Sequence, residues 1–544
     1  MIKKFLIIFN TLKYLKLKQF YFRGLRIVSK PRIKDHFNNK GIKRADKWID
    51  IKLYEEKINQ KMEGLFLNYK KKLSLPEDWH KDIPSKLWLY NLHYFEELLS
   101  EESNNKKEFH KSIFDMWINH NPTGYGQGWD PYPSSLRIVN VLKAWLSGLH
   151  LDQNNFKSLF EQTSYLSDNL EKHLLANHYF VNLKALLFSG LIFEKEKWRN
   201  FSEKELLKEL DEQILEDGAH YELSPMYHSL ILTDLLDILN LYNAYSVSSK
   251  NKLKNKIIEI IPSMIKFLNL LAHNDGSLSH FNDSVDGISP RRRKILKYAE
   301  YLGFQIDKAD KKTSAYDLSN SGYMVGLKSG NKLIFDAGGI GPDYNPGHAH
   351  ADTLSFELSI GNEKVFVNSG ISEYGVSSKR LAQRKTKAHN TVTVDNKDSS
   401  EVWSSFRVGE RARIISRSCY IDKNDKIFFK ATHNGFYKIF SGPLHTRNII
   451  LSERDILIKD CLEGNFKNAS AFFHLHPDMK LISQGKFIEI RGKNFLMTTN
   501  LTKEIVRIHD SFWCQGFGAE ISNKCMEINF SGPDSEIKFS WAKI

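Results

Sequence analysis

The segment GHAHADTLSFEL, residues 347–358, sets His348 and His350 one residue apart and then runs into an alternating apolar pattern. Alternation puts both imidazoles on the face of Leu354, Phe356 and Leu358, the face expected to be buried. Buried imidazoles need partners, because an unsatisfied polar group in an apolar interior is costly. Downstream, Asn368 in VFVNSG and His389 in KAHNTV stand where strands are expected to end or begin. Imidazoles and a short side-chain oxygen converging at one end of a sheet could hold zinc. The plainer reading of the same residues is a hydrogen-bonded cluster of core histidines.

Further candidates lie upstream. In LLANHYFVNL, Asn177 and His178 fall within a helical apolar pattern, where an amide has poor propensity. Residues that break a local rule are candidates for function. In DGAHYELSPMYHSLIL, Ser224 is the expected N-cap and Pro225 the first helical residue, so Tyr227 enters the first turn. There the helix dipole favours a phenolate, while a core tyrosine with a satisfied hydroxyl is the plainer alternative. Trp129 in GYGQGWDPYP, and His280 and Asn282 in GSLSHFNDS, either line a sugar-stacking cleft or anchor their loops. Glu222 and Asp283 are the loop carboxylates that a hydrolase would require as a pair. No phosphate loop, nucleotide fingerprint or GxSxG elbow stands out.

These residues must be held by two kinds of structure. From about 45 to 305 the apolar period is helical, as in PSSLRIVNVLKAWLSGL, where Ser134 or Ser135 is the expected N-cap. After DKADKKTSAYDLSNSG the pattern changes to short strands between Gly, Asn and Asp turns, which predicts an antiparallel β-sandwich. The expected organisation is multidomain α+β: a basic amphipathic segment over 1–44, a helical domain over 45–305, a linker over 306–317 and a sandwich over 318–544. A chain of 544 residues is too long for one ordinary core.

Charge is unevenly placed. Residues 1–50 hold 14 Lys or Arg against three Asp, which is +11 of the chain's net +14. The remainder is nearly neutral, so no nucleic-acid partner is expected. The apolar run Phe5–Phe9 is too short for a signal peptide or a membrane span. Ile8, Leu12, Leu15 and Phe22 recur at roughly helical spacing among basic residues, so residues 1–30 either touch an anionic membrane or pack on the body. The four cysteines lie in the last third without a CxxC pair, which suits a reducing compartment. A cytoplasmic location, associated with the inner face of the membrane, is expected.

Taken in order, WDPYPSSLRIVNVL, NHYFVNLKALLFSG, DGAHYELSPMYH, GHAHADTLSFEL, VFVNSGISEYG, RKTKAHNTVTVDN and VWSSFRVGERARI resemble the heparinase II/III family of polysaccharide lyases over roughly residues 120–415. The resemblance implies an incomplete (α/α) toroid followed by an antiparallel β-sandwich, with the active site between them. It implies β-elimination on a uronate-containing acidic polysaccharide. Asn177 would neutralise the uronate carboxylate. His178 and His348 would abstract a proton or stabilise charge, and Tyr227 would act as general acid, perhaps also as base. Trp129, Arg137 and Tyr374 within these segments, together with His280 in the loop GSLSHFNDS, are the expected substrate-binding residues. His350, Asn368 and His389 match the positions of a structural zinc, although Asn368 replaces the usual Asp with a neutral, weaker ligand. The basic amino-terminal segment resembles family members associated with capsule or exopolysaccharide assembly. A non-catalytic glycan-binding factor and a hydrolase on the same toroid are the competing expectations.

Overall fold

The computed structural model describes residues 2–38, 42–45, 47–81, 84–306, 312–484, 487–501 and 505–544, with side chains from residue 5 onward. Residues 307–311 of the expected linker, and 1 and 39–41 of the basic segment, lie outside the described residues. Two basic helices come first, α1 (Ile2–Leu12) and α2 (Leu17–Val28), followed by a short hairpin of β1 (Glu63–Phe66) and β2 (Tyr69–Lys72). A succession of helices follows: α3 (Lys86–Leu92), α4 (Lys107–His120), α5 (Pro131–Leu146), α6 (Gln153–Ser167), α7 (Ala176–Ile192), α8 (Glu196–Gln213), α9 (Pro225–Ala244), α10 (Lys252–Leu271) and α11 (Arg292–Tyr301).

Burial sorts these helices into two layers. Every residue of α7 except His178 is buried, and α5 and α9 are nearly as enclosed. A helix that is apolar on all sides must be covered on all sides. By contrast, α8 buries only a stripe through Trp198, Ser202, Leu206 and Leu210. Inner α5, α7 and α9 touch one another and each packs on a neighbouring outer helix, α6, α8 or α10. This alternation of inner and outer helices is the toroid.

Two helix starts differ from the sequence reading. Helix α5 begins at Pro131, so Ser134 and Ser135 lie inside its first turns and bond back to the Gly128 and Pro131 carbonyls. Proline at the first position loses no intrahelical hydrogen bond, which lets the helix begin earlier than the serines suggest. Asn177 and His178 are not mid-helix. Leu175 and Ala176 adopt positive φ (63° and 51°), which breaks the chain there and makes Asn177 and His178 the start of α7. Ser224 does cap α9, accepting the Tyr227 amide.

In the second half, β3 (Ser314–Asp317), β4 (Tyr323–Lys328), β5 (Asn331–Asp336), β6 (Phe356–Ile360) and β7 (Glu363–Phe366) form an antiparallel sheet in sequence order. The strand β3 lies inside the expected linker, pairing from Ser314 with Leu327 to Asp317 with Met324. A bridge between Phe366 and Leu475 joins this sheet to a four-stranded one containing β8 (Val392–Val394). An eight-stranded sheet faces them, and Phe335, Phe356, Phe366, Phe429, Phe473 and Phe539 share the core between the layers. The other face of β4 and β5 packs on α10 through Phe267, Leu270, Val325 and Ile334.

Alternation does not extend through 348–358 as the sequence implied. The strand begins only at Phe356, because Leu354 takes a positive φ of 63°. His348 and His350 therefore stand in the β5–β6 loop. Arg447 fixes that loop from the facing sheet: it forks onto Asp460 (2.7 and 2.9 Å) and donates to the Leu354 and Asn390 carbonyls at 2.9 and 2.5 Å. All of these groups are buried. Arg447→Ala strands the Asp460 charge, and the expected loss is about 3–5 kcal/mol of unfolding free energy, read by urea denaturation.

Candidate active site

Three inner helices begin at one place. The His178 ring, in the first turn of α7, lies 4.6 Å from that of Tyr132 in the first turn of α5. Tyr227 occupies the first turn of α9. Helix amino termini carry partial positive charge and unpaired N–H groups, so their meeting point favours an anion. Asn177 is buried with its Oδ1 unpartnered, leaving hydrogen-bonding capacity unused. His178 is the open member of this group; its Nδ1 lies 3.2 Å from Glu171 Oε2, which fixes the ring.

The sandwich supplies the opposing side. His348 sits 4.0 Å from the Tyr227 ring, and the Tyr227 hydroxyl lies 2.9 Å from that of Tyr374. Phe406 and Phe517 pack around Tyr374. Burial, then each other's proximity among other charges, holds the Tyr227 phenol well above its ordinary pKa, and burial does the same for Tyr374. Both remain protonated at neutral pH and are able to donate.

Asp283, from the loop after α10, joins the two halves. Arg380, on α12 (Ser378–Arg384), forks onto its carboxylate at 2.5 and 2.7 Å. His348 Nδ1 reaches the same carboxylate at 2.9 Å and His350 Nε2 at 2.8 Å. Burial pushes the Asp283 pKa up, but Arg380 and the two imidazoles outweigh it and hold the carboxyl well below its ordinary range. An ionised Asp283 makes Nδ1 of His348 the protonated nitrogen and leaves Nε2 as the acceptor. Burial lowers the pKa of His348, so the ring is neutral at pH 7.

Behind this contact, His350 Nδ1 lies 3.2 Å from His389 Nε2. Asp352 completes a buried set whose donor atoms all lie within 4.8 Å of one another. The carboxylate beside the two histidines is thus Asp352, which the sequence reading did not select. Burial pushes Asp352 up to about 6. Asn368 is also buried, its Oδ1 accepting the Asn390 amide at 3.3 Å and its Nδ2 unpartnered.

The structure separates the expected substrate-binding residues. Tyr374 lies with Tyr227 and His348 in the cluster described above. Trp129 is buried in the helical core, its Nε1 donating to the Asn121 carbonyl at 3.1 Å. Arg137 is fully buried, bonded to Gln162 at 2.9 Å and lying 3.7 Å over the Trp117 ring. His280 is buried and stacks on Trp513, both its ring nitrogens unpartnered. Sequence reasoning overlooked Arg380, Glu171, Tyr132 and Asp352, and saw Asp283 only as a hydrolase carboxylate. It also overlooked a basic rim where Arg26 Nη1 meets His173 Nε2 at 2.9 Å and the buried Nε of Arg23 has no partner. An acid inside the polar loop GSLSHFNDS was the available signal for Asp283; Arg380 gave none.

Two family models match the chain: heparinase II/III N-terminus over residues 99–308 and heparinase II/III-like, C-terminal, over 310–542. Heparin-sulfate lyase from Pedobacter heparinus is 23% identical over 324 residues, 52% of this chain and 47% of that protein. Heparin-sulfate lyase from Bacteroides stercoris is 25% identical over 262 residues, 42% of this chain and 37% of that protein. The matches thus span half or less of these relatives' length. Among solved structures, heparinase III superposes with a TM-score of 0.66 at 15% identity, covering 97% of this chain and 89% of that one. Heparan sulfate lyase HepC from Pedobacter heparinus gives 0.56 at 17% identity, covering 96% and 87%. These likenesses share the toroid-plus-sandwich fold.

Glu222 is buried two residues before Ser224, the cap of α9, and five before Tyr227, and burial, then Asp283, raises its pKa to about 8. A carboxyl with a folded pKa above its unfolded value of about 4.3 binds more protons when folded, so stability falls as pH rises between those values. Glu222→Gln is therefore expected to raise the melting temperature relative to the parent at pH 8 and to lose that advantage at pH 5, as measured by calorimetry.

Proposed function

The chain belongs to the heparinase II/III family, and from that premise we propose that it cleaves a uronate-containing acidic polysaccharide by β-elimination. The observation that carries this reading is His348, held through Nδ1 by Asp283 against the Tyr227–Tyr374 hydroxyl pair. A neutral base and a neutral acid then lie side by side, as elimination requires.

The proton at C5 of a uronic acid is weakly acidic, and its removal builds charge on the carboxylate. Asn177, His178 and the amino terminus of α7 stabilise that charge. Nε2 of His348 takes the C5 proton, the C4–O bond breaks as C4=C5 forms, and the Tyr227 hydroxyl protonates the departing glycosidic oxygen. Tyr374, hydrogen-bonded to Tyr227, orients that hydroxyl. Arg23, Arg26 and His173 hold acidic groups of the polymer at the rim. Hydrolysis finds less support: Asp283 is fully buried and saturated by Arg380 and two imidazoles, and Glu222 is buried and protonated at pH 7.

The reading includes a structural zinc held by His350, His389 and Asp352. Two ring nitrogens 3.2 Å apart beside a buried carboxylate fit such an ion better than the neutral Asn368. When bound, zinc would cross-link the β5–β6 loop to the chain before β8 and take no part in proton transfer. The reading also includes a capsule or exopolysaccharide substrate and a cytoplasmic, membrane-associated location with residues 1–30 at the membrane. Four free cysteines accord with a reducing compartment.

Incubation with a panel of acidic polysaccharides should raise ultraviolet absorbance from the new unsaturated uronate. Tyr227→Phe should lower that rate roughly 10²–10⁴-fold with glycan binding retained; new reducing ends without absorbance would refute elimination. Elemental analysis should find zinc, and chelation should lower the melting temperature. A zinc-free protein whose melting ignores chelator would refute the metal.

A further inference from the structure

Helices α1 and α2 turn most of their apolar residues outward; of those described, Ile7 against Gly409 and Phe22 against Lys172 are the half-buried exceptions. A surface helix ordinarily buries its apolar stripe and exposes its polar one. On α1, the inward residue is Thr11, whose hydroxyl donates to the Val408 carbonyl at 3.2 Å and accepts from Trp403 Nε1 at 3.0 Å. The opposite side presents Phe5 and Phe9, 69% and 55% exposed. On α2, Gln19 is buried and donates to the Tyr344 carbonyl at 3.4 Å, Phe22 is half-buried beneath Lys172, and the exposed Arg26 reaches back to His173. Its outward residues are Leu17, Phe20, Ile27 and Val28, with Leu17 and Ile27 each 86% exposed. An exposed apolar surface of this kind marks a binding site.

The flanking charge selects the occupant. Lys18, Lys30 and Arg32 are exposed beside the apolar faces, and the first 50 residues carry a net +11. Apolar faces bordered by lysine and arginine suit the headgroup boundary of an anionic bilayer. Helices of 11 and 12 residues have a length suited to lying in that boundary; among the described residues no helix is long and apolar enough to cross it.

The inward faces rest on the rim of the candidate active site. Lys16 pairs with Glu212 and lies 3.7 Å over the Tyr344 ring, four residues before His348. His173, Arg26's partner, lies four residues before Asn177. We propose that the outward apolar faces of α1 and α2 insert into an anionic lipid bilayer and set the mouth of the cleft at the membrane surface. Its glycan is then taken from that surface. The docking refines the membrane contact proposed above, and the nature of the glycan rests on the lyase reading.

The test uses the full chain and vesicles of phosphatidylcholine with phosphatidylglycerol, against phosphatidylcholine alone. The parent should sediment with the anionic vesicles and partition roughly tenfold less onto neutral ones or at high salt. Phe9→Glu combined with Ile27→Glu, both at exposed positions, should lose vesicle binding to a similar degree while melting and turnover of soluble polysaccharide stay unchanged. Parent-like binding by the double variant overturns the docking surface while leaving a membrane contact elsewhere. No binding of the parent to anionic vesicles overturns both. Concentration-dependent dimers abolished by the same substitutions, without lipid binding, would assign the faces to a second copy and also overturn the proposal. Vesicle binding without any elimination product would leave the docking intact and remove the lyase reading.

Discussion

A single buried carboxylate organises the site. Enclosing a charge is costly by several kcal/mol unless it is fully paired, and Asp283 is paired by the Arg380 fork and two imidazoles. Its backbone is committed as well: the amide donates to the His348 carbonyl and the carbonyl accepts from Ser224, the cap of α9. Asp283 belongs to the helical half; Arg380, His348 and His350 belong to the sandwich half. The contact that joins the halves also sets the tautomer of His348 and the start of the helix carrying Tyr227. Stability and chemistry therefore depend on the same atoms.

Around this anion the site is arranged by contrast. Asp283 stays ionised because Arg380 lies within hydrogen-bond distance. Glu222, nearby and buried without such a cation, is raised to about 8. Tyr227 and Tyr374 keep their protons because burial disfavours phenolate, and His348 stays neutral because burial disfavours imidazolium. The toroid contributes helix amino termini and an unsatisfied amide, a positive field without a fixed cation in α7's first turn. On the proposed lyase reading, a substrate anion entering there would find donors already oriented, so little reorganisation would remain for the reaction.

The outward faces of α1 and α2 fit the same economy of placement. The polar side of α1 is engaged by Val408 and Trp403 and that of α2 by Tyr344 and His173, which leaves Phe5, Phe9, Leu17, Phe20, Ile27 and Val28 facing outward. The same choice of face half-buries Arg23 and sets the exposed Arg26 against His173, so α2 contributes to the margin of a cleft built from residues some 150–400 positions later.

By itself the sequence determined what local pattern and residue type can encode. The change from helical to alternating period separated the two halves, the Ser224–Pro225 pair marked the start of α9 at Tyr227, and ordered segments identified the family. The Asn-His pair and the HxH pair were visible as chemistry without addresses. Tertiary structure decided the rest. Positive φ at Leu175 and Leu354 moved Asn177 and His178 to a helix start and took His348 off the strand, because long-range packing rather than local propensity stabilises those conformations. Trp129 and Arg137 went into the helical core, since burial depends on neighbours far along the chain. Asp283 with Arg380, 97 residues apart, and Asp352 with His389 are brought together only by the fold. Charge pairing across domains leaves no periodicity to read; it exists as a distance, and distance is set by the fold.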